Sequence, residues 1–277
     1  MKKVALLIPA HCMPEVLKLT VGSCLETHDG SYEVSLCVAL HENYTDYSTR
    51  LDEITSMPNV NFVFVKEIDW NAHGLLRYST MHATSLLKLL DWAVNTDCTH
   101  IAVLDHDLVF EKDFVSWALS EHGEADWLCG LFEDVSEPRK AMLSPNECLP
   151  EPTECLFAPK PTVWHMVLSR RMLEVLAADK DAVMPEQMGK TIYDTLAKAY
   201  EMAPEWDMKV KVIPCADFEP MVRHLWSLSF NFGYFEARLR RGEEHARRHH
   251  EAKVKEAIEY YDRRFPSGID SLLEKLP

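Results

Sequence analysis

Two aspartates separated by one residue, Asp105 and Asp107, stand where a short apolar run at residues 101–104 ends. In extended chain, alternate side chains point to the same side, so both carboxylates can meet one ligand while His106 points away. Carboxylate oxygens suit Mg²⁺ or Mn²⁺, and the open positions of such an ion take the oxygens of a diphosphate. The spacing therefore predicts a divalent-cation site. The alternative is that the two aspartates cap a turn or the next helix.

The segments before this turn alternate between strand-like and helix-like patterns. Apolar runs predict strands at residues 4–8, 34–40, 60–65 and 101–104. Helical spacing predicts helices at 14–25, 46–56 and 78–94. The alternation is typical of parallel βαβ units, and runs that are apolar on both faces need helices on both sides. We predict an α/β fold with a mostly parallel, Rossmann-like sheet, in which ligands bind beyond the carboxyl ends of the strands.

The second half of the chain has a looser pattern. It favours helices at residues 114–120, 170–178 and 187–201, strands at 127–132, 162–168 and 208–213, and a long loop or lid at 133–161. Residues 235–261 form a highly charged amphipathic segment that predicts a helix. We therefore expect one main domain over residues 1–230 and a C-terminal charged helical appendage over 231–277.

The composition excludes some classes of protein. The net charge of −15 over 277 residues disfavours a protein that coats nucleic acid non-specifically. The eight cysteines form no Cys-x-x-Cys pair and several lie in apolar runs, which indicates a reducing compartment. The start of the chain, Met1-Lys2-Lys3 followed by the apolar residues 4–8, is similar to a leader, but the apolar run is short, is stopped by Pro9 and lacks a cleavage site, so a first core strand is the better interpretation. No other segment reaches the ~18 apolar residues of a membrane span. We expect a soluble, cytoplasmic protein.

The order of three features resembles a known family. Asn71-Ala72-His73-Gly74, the helix at 78–94 and the strand that ends in Asp105-His106-Asp107 are similar to the pattern of GT-A glycosyltransferases of the family 2 type. The similarity covers about residues 4–115 in order and spacing. It implies sugar transfer from a nucleoside-diphosphate sugar with Mn²⁺ or Mg²⁺, and UDP is the commonest nucleotide in the family. It also implies that Asp107 binds the metal directly, whereas Asp105 contacts the donor ribose or the metal through water.

The resemblance further implies a set of donor-binding residues. These are Pro9, His11, Glu42, Asn71, Gly74, Arg77 and Asp105. The chain departs from the common bacterial pattern after the second strand, where it has His41-Glu42-Asn43 instead of adjacent aspartates followed by Gly-Ser. The contacts to the base are therefore less well specified than the metal site.

The later part of the site is also inferred from the family. A late histidine often completes the metal site, and His224 is the residue that we choose; its alternative is a half-buried His that donates to a backbone carbonyl. Arg223 would face the diphosphate, or is an ordinary surface Arg. An inverting enzyme would need a carboxylate base, for which Asp194 and Asp134 are the candidates, whereas a retaining enzyme would not.

Three other readings stay open at this point. A nucleotidyltransferase shares such a sheet but normally has a Gly-rich first loop, and Pro9-Ala10-His11 does not provide one. A non-catalytic protein could bind the nucleotide-sugar on the same fold. The acceptor is a saccharide, a small molecule or a modified nucleic-acid base, and only the Arg-rich segment at 235–261 favours the last of these. The sequence does not specify the acceptor or the oligomeric state.

Overall fold

A seven-stranded mixed sheet forms the centre of the protein. The computed structural model describes residues 1–10, 14–41, 50–66, 77–131, 161–185, 187–188, 191–192, 195–214, 220–225 and 244–277. Its strands are β1 (Lys2–Ala10), β2 (Tyr32–His41), β3 (Asn61–Val65), β4 (His100–Leu104), β5 (Leu108–Phe110), β6 (Trp127–Leu131), β7 (Pro161–Ser169), β8 (Gln187–Met188), β9 (Thr191–Ile192), β10 (Val210–Pro214) and β11 (Val222–His224). The main sheet has the order β10-β6-β7-β4-β1-β2-β3. Only β7 runs antiparallel to its neighbours, and the other neighbouring pairs are parallel.

Helices cover both faces of this sheet. They are α1 (Pro14–Thr27), α2 (Leu51–Thr55), α3 (Arg77–Ala93), α4 (Phe114–Glu121), α5 (Arg170–Ala178), α6 (Ala197–Met202), α7 (Glu244–Arg264) and α8 (Asp270–Leu273). One core lies between the sheet and α1, α4, α7 and α8, and the other lies between the sheet and α3, α5 and α6. The predicted α/β fold, a mostly parallel sheet flanked by helices, is confirmed.

The central strand β1 shows why continuous apolar runs form the middle of the sheet. Val4, Leu6 and Ile8 belong to the core on the α1 side, whereas Ala5 and Leu7 belong to the core on the α3 side. Successive side chains of a strand point to opposite faces, so a strand that is covered on both sides must be apolar throughout.

The direction in which strands are added reverses between β1 and β4. From β1 the chain passes through α1 to β2 and then to β3, whereas α3 carries it back to β4 on the other side of β1. Such a reversal opens a crevice outside the carboxyl ends of the two strands, where α/β proteins bind their ligands. These strands end at Ala10 and Leu104, and the next residue after Leu104 is Asp105.

The prediction of one helix over residues 187–201 is wrong. The structure has the antiparallel pair β8 and β9 there, followed by the short helix α6. Leu196, just before α6, has a left-handed φ of 64°, a conformation that a continuous right-handed helix does not contain. The loop predicted at 133–161 lies outside the described residues up to Pro161, where β7 begins.

The C-terminal segment packs on α1. Phe265, Ile269 and Leu273 are buried in the same core as Leu17 of α1. The contact is close at Gly22, where a Cβ atom would lie 2.6 Å from Cγ2 of Ile269. The charged helix predicted at 235–261 is observed as α7, from Glu244 to Arg264, while residues 235–243 and the expected domain boundary at residue 230 lie outside the described chain.

Four of the eight cysteines lie in the described chain. Cys24, Cys37 and Cys98 are buried free thiols, and Cys129 is buried as well. Burial raises the pKa of the Cys37 thiol to about 12, so this thiol behaves as a small apolar side chain. Among the described helices, none has the length and the hydropathy that crossing a membrane requires.

Candidate metal centre

The Asp105-His106-Asp107 turn lies at the carboxyl edge of the sheet, where the strand order reverses. Asp105 is 8% exposed, and His106 and Asp107 are fully buried. The His106 Nδ1 atom is 3.0 Å from the carbonyl oxygen of Pro9, which joins the ends of β1 and β4. Carboxylates withdrawn from water are favourable only where charge or hydrogen bonds compensate them. Two such carboxylates at one strand end are a donor set that suits a hard divalent cation.

Two hydroxyls of α1 hold the backbone of this turn. Thr20 is fully buried, and its Oγ1 lies 2.7 Å from the carbonyl oxygen of His106 and 2.9 Å from that of Leu108. The same oxygen accepts a hydrogen bond from the Leu108 N–H at 3.1 Å. Ser23 Oγ accepts from the Phe110 N–H at 3.0 Å. Residues 106 and 107 form a turn rather than extended strand, so these anchors, and not strand alternation, fix the backbone on both sides of Asp107.

A two-stranded ribbon brings a late part of the chain to Asp107. The strand β11 pairs antiparallel with β5, and His224 is the register partner of Leu108. The N–H of Leu225 donates to the carbonyl oxygen of Asp107 at 2.9 Å. The backbone of His224 is therefore next to the turn, at the position where the sequence predicts a further metal ligand. Direct binding of a metal by its imidazole stays a prediction.

Arg223 precedes His224 on the same strand, and its side chain contacts the C-terminal helix. The residue is exposed, and its guanidinium carbon is 5.2 Å from the centre of the Tyr260 ring of α7. A guanidinium at this distance from an aromatic face makes a cation–π contact. The role of Arg223 towards a diphosphate stays a prediction.

Helix α3 presents two polar side chains to the carboxyl edge. His82 Nε2 lies 3.3 Å from Oδ1 of Asp105, and one helical turn later Ser85 Oγ lies 2.8 Å from Nε2 of His41 at the end of β2. Burial lowers the pKa of His41 to about 4, against which a hydrogen bond to the Met81 backbone acts weakly. The sequence interpretation did not single out His82. The sequence did contain a signal for His82: it is a polar residue beside the apolar stripe of α3, the helix that precedes β4 and Asp105.

The other predicted site residues divide into two groups. Arg77 begins α3, and Pro9 lies near the end of β1 beside the turn, so both are at or near the carboxyl edge by position in the chain. The remaining predicted residues lie outside the described chain: His11, Glu42, Asn71, Gly74, Asp134 and Asp194. Their roles stay predictions.

A second group of titratable residues lies at the opposite edge of the sheet. His28, Asp29 and Asp113 have ligand atoms within 4.8 Å of one another. Asp113 caps α4 by accepting from the Ser116 N–H and also accepts from the Tyr32 hydroxyl. These bonds explain the group as a structural link between α1, β2 and α4.

Comparisons with known proteins return solved structures. No protein-family model matches the chain, and no curated protein matches it by sequence. Glucosyl-3-phosphoglycerate synthase of Mycobacterium tuberculosis is similar over 77% of this chain and 70% of its own, with 13% identity and a TM-score of 0.40. The same synthase with Mn²⁺, UDP-glucose and phosphoglyceric acid gives 16% identity and a TM-score of 0.44 over 76% of this chain and 69% of its own. Mouse xyloside xylosyltransferase 1 gives 12% identity and a TM-score of 0.38 over 77% of this chain and 85% of its own.

By their names, these proteins are a glucosyl-3-phosphoglycerate synthase and a xylosyltransferase. At TM-scores of 0.38 to 0.44 and identities of 12 to 16%, the similarity transfers no residue role, donor or acceptor to this chain.

Proposed function

We propose that the protein is a divalent-cation-dependent glycosyltransferase that transfers a sugar from a nucleoside-diphosphate donor to a hydroxyl acceptor. One observation carries the proposal: Asp105 and Asp107 are buried at the carboxyl end of β4, where the strand order reverses beside β1. A diphosphate cannot approach two carboxylates without a cation between them, and this crevice is where α/β sheets bind nucleotides.

Each predicted residue of this site has its own proposed role. Asp107 would hold the cation directly, Asp105 would contact it through water or bind the donor ribose, and His224 would be a further ligand. When bound, a divalent cation neutralises the diphosphate and stabilises it as a leaving group. Arg223 is proposed to add positive charge there. Asp194 or Asp134 would accept the acceptor proton if the reaction inverts the anomeric centre.

The first probes follow from the family and its solved members. Mn²⁺, UDP-glucose and phosphoglyceric acid are the ligands named for the similar mycobacterial synthase, and UDP is the commonest nucleotide of the resembled family. We therefore choose UDP-glucose with Mn²⁺ first, and Mg²⁺ second. The acceptor stays open among saccharides, small molecules and modified nucleic-acid bases. The buried free thiols of Cys24, Cys37 and Cys98 suit a reducing compartment such as the cytoplasm.

Cation-dependent binding of nucleotide tests the proposal. UDP or a UDP-sugar should raise the melting temperature only with Mn²⁺ or Mg²⁺, since a ligand at 100 times its Kd stabilises a protein by about 2.7 kcal/mol. Chelation by EDTA should remove the effect. Asp107→Asn should abolish it, whereas Asp97→Asn, an exposed aspartate just before the amino end of β4, should not.

Product analysis then separates the readings that share this fold. Release of UDP from a UDP-sugar supports a glycosyltransferase, and release of pyrophosphate from a nucleoside triphosphate supports a nucleotidyltransferase. Tight cation-dependent binding without turnover of any sugar donor supports a binding protein. If nucleotide affinity is the same with and without the cation, and also unchanged in Asp107→Asn, the proposed metal centre is contradicted.

A further inference from the structure

The amino-terminal half of α3 lies across the carboxyl edge of the sheet. Its His82 contacts Asp105 at the end of β4, and its Ser85 contacts His41 at the end of β2. Residues three apart on a helix lie on the same side, so one face of α3 carries both contacts. The apolar neighbours Ala83, Leu86 and Leu90 are buried in the core beneath, which fixes the rotation of the helix.

The contact between His82 and Asp105 is partly withdrawn from water. The two side chains are 13% and 12% exposed, and Nε2 of His82 is 3.3 Å from Oδ1 of Asp105, which is long for a hydrogen bond. An ionised carboxylate only accepts hydrogen bonds, so Nε2 must donate. Within the described chain, the buried Nδ1 atom of His82 has no hydrogen-bond partner. Among the described residues, Asp105 is therefore the hydrogen-bond partner of the His82 imidazole.

We propose that His82 is a positioning residue for Asp105, an inference that rests on the proposed function. By donating to Oδ1, His82 holds the carboxylate in one orientation at the crevice where the cation and the donor ribose are proposed to bind. An imidazole can donate without the fixed charge of an Arg or Lys, so it orients the carboxylate without competing with the cation for it. Hydrogen-bond partners of the groups at a metal centre commonly change metal affinity by about 10–100-fold when they are removed.

A pair of variants of equal length tests the role of the donor. His82→Gln keeps an N–H donor at about the reach of Nε2, whereas His82→Met has a similar length and no donor. The readout is Mn²⁺ affinity with saturating UDP, measured from the electron paramagnetic resonance signal of free Mn²⁺. We expect His82→Met to weaken Mn²⁺ binding about tenfold or more. His82→Gln should recover most of the affinity, with equal melting temperatures of the two variants showing that both fold.

Two controls make the result specific. His100→Gln changes a partly buried histidine at the opposite end of β4, which contacts Thr99, and should leave Mn²⁺ affinity unchanged. Asp107→Asn should abolish Mn²⁺ binding. If Asp107→Asn abolishes binding but His82→Met and His82→Gln both bind Mn²⁺ as tightly as the parent, the role of His82 is refuted while the proposed function stands. If the parent protein itself does not bind Mn²⁺ with UDP, the proposed function fails first.

Discussion

The hydroxyl of Thr20 lies 2.7 Å from the carbonyl oxygen of His106, a residue 86 positions later in the chain. The same hydroxyl also contacts the backbone of Leu108, so the two residues that flank Asp107 are held by one side chain of α1. The turn that carries the proposed metal ligands is thus fastened to the first helix of the protein.

Removing this hydroxyl should loosen the turn. Thr20→Val has nearly the same shape but leaves the buried Leu108 N–H without its partner, which costs about 1–3 kcal/mol. Thr20→Ser keeps the hydroxyl and is the matched control. We expect Thr20→Val to lower the free energy of unfolding in urea and to weaken Mn²⁺-dependent UDP binding, whereas Thr20→Ser keeps the binding. Equal binding by the two variants would show that the hydroxyl does not hold the turn.

Acid should destabilise the protein through His41. Its pKa in the folded protein is about 4, below the ordinary value of 6.5, because burial disfavours the charged imidazole. The unfolded chain therefore binds more protons between these pH values, and stability falls as the pH drops from 6.5 towards 4. Protonation of His41 should lower the free energy of unfolding by on the order of 3 kcal/mol in total, since a pKa difference of one unit corresponds to about 1.4 kcal/mol.

The variant His41→Gln isolates this effect. Glutamine does not titrate but can still hydrogen-bond the Ser85 hydroxyl. Urea unfolding of parent and variant at pH 7, 6, 5 and 4.5 should give curves that converge as the pH falls. Curves that stay parallel over this range would mean that His41 is not the group responsible.

Gly22 should resist substitution because the C-terminal segment packs directly on it. A Cβ atom there would meet Cγ2 of Ile269 at 2.6 Å, and the ring of Phe265 at 3.0 Å. Overpacking of this kind costs about 1–3 kcal/mol, more than the ~1 kcal/mol that alanine gains over glycine in a helix. Gly22→Ala should therefore lower the free energy of unfolding.

A second substitution locates the cause. Ile269→Leu removes the Cγ2 branch, so Gly22→Ala should be less costly in that background, whereas Ile269→Val keeps the branch and should give no relief. The coupling is measured by a double-mutant cycle in urea. Additive losses with Ile269→Leu would exclude the contact as the reason.

Arg264 should stabilise the C-terminal helix far more than its neighbour Arg263. Arg264 is 15% exposed in its side chain and donates to Glu26 of α1 at 2.7 Å and to the Phe110 carbonyl of β5 at 2.8 Å. Arg263 is exposed and only approaches the Tyr260 ring at 6.0 Å. We expect Arg264→Met to cost about 1–3 kcal/mol and Arg263→Met at most about 0.5 kcal/mol, as measured by urea unfolding. Similar losses from both would contradict this assignment.

The sequence predicted best those elements whose pattern is long and local. The apolar stripe of α3 predicts a helix at 78–94 and the structure has Arg77–Ala93, while α5 has the predicted bounds, Arg170–Ala178. The two-sided apolar runs of β1 and β4 predicted buried strands. Such patterns depend on residues within one segment, so that no tertiary information is needed to find them.

What the sequence missed depends on distant partners. β5 and β11 have three residues each, too few for a periodic pattern, and each exists because it pairs with the other. His82 has no local motif, and its contact with Asp105 follows from the way α3 crosses the strand ends. The predicted helix at 187–201 failed because left-handed Leu196 interrupts it, which helical periodicity alone does not reveal.

The bond between Leu225 and Asp107 bears on how the protein is made. The ribosome delivers α1 and the aspartate turn long before β11, so a nascent chain can fasten the turn through Thr20 while its antiparallel partner strand is still unsynthesised. Because early segments of a chain fold first, the nascent protein passes through a stage that has its central strands but an unfinished ribbon. β11 can complete the ribbon only after that stage, and α7 and α8, which are synthesised later still, can pack on α1 only after β11 has been made.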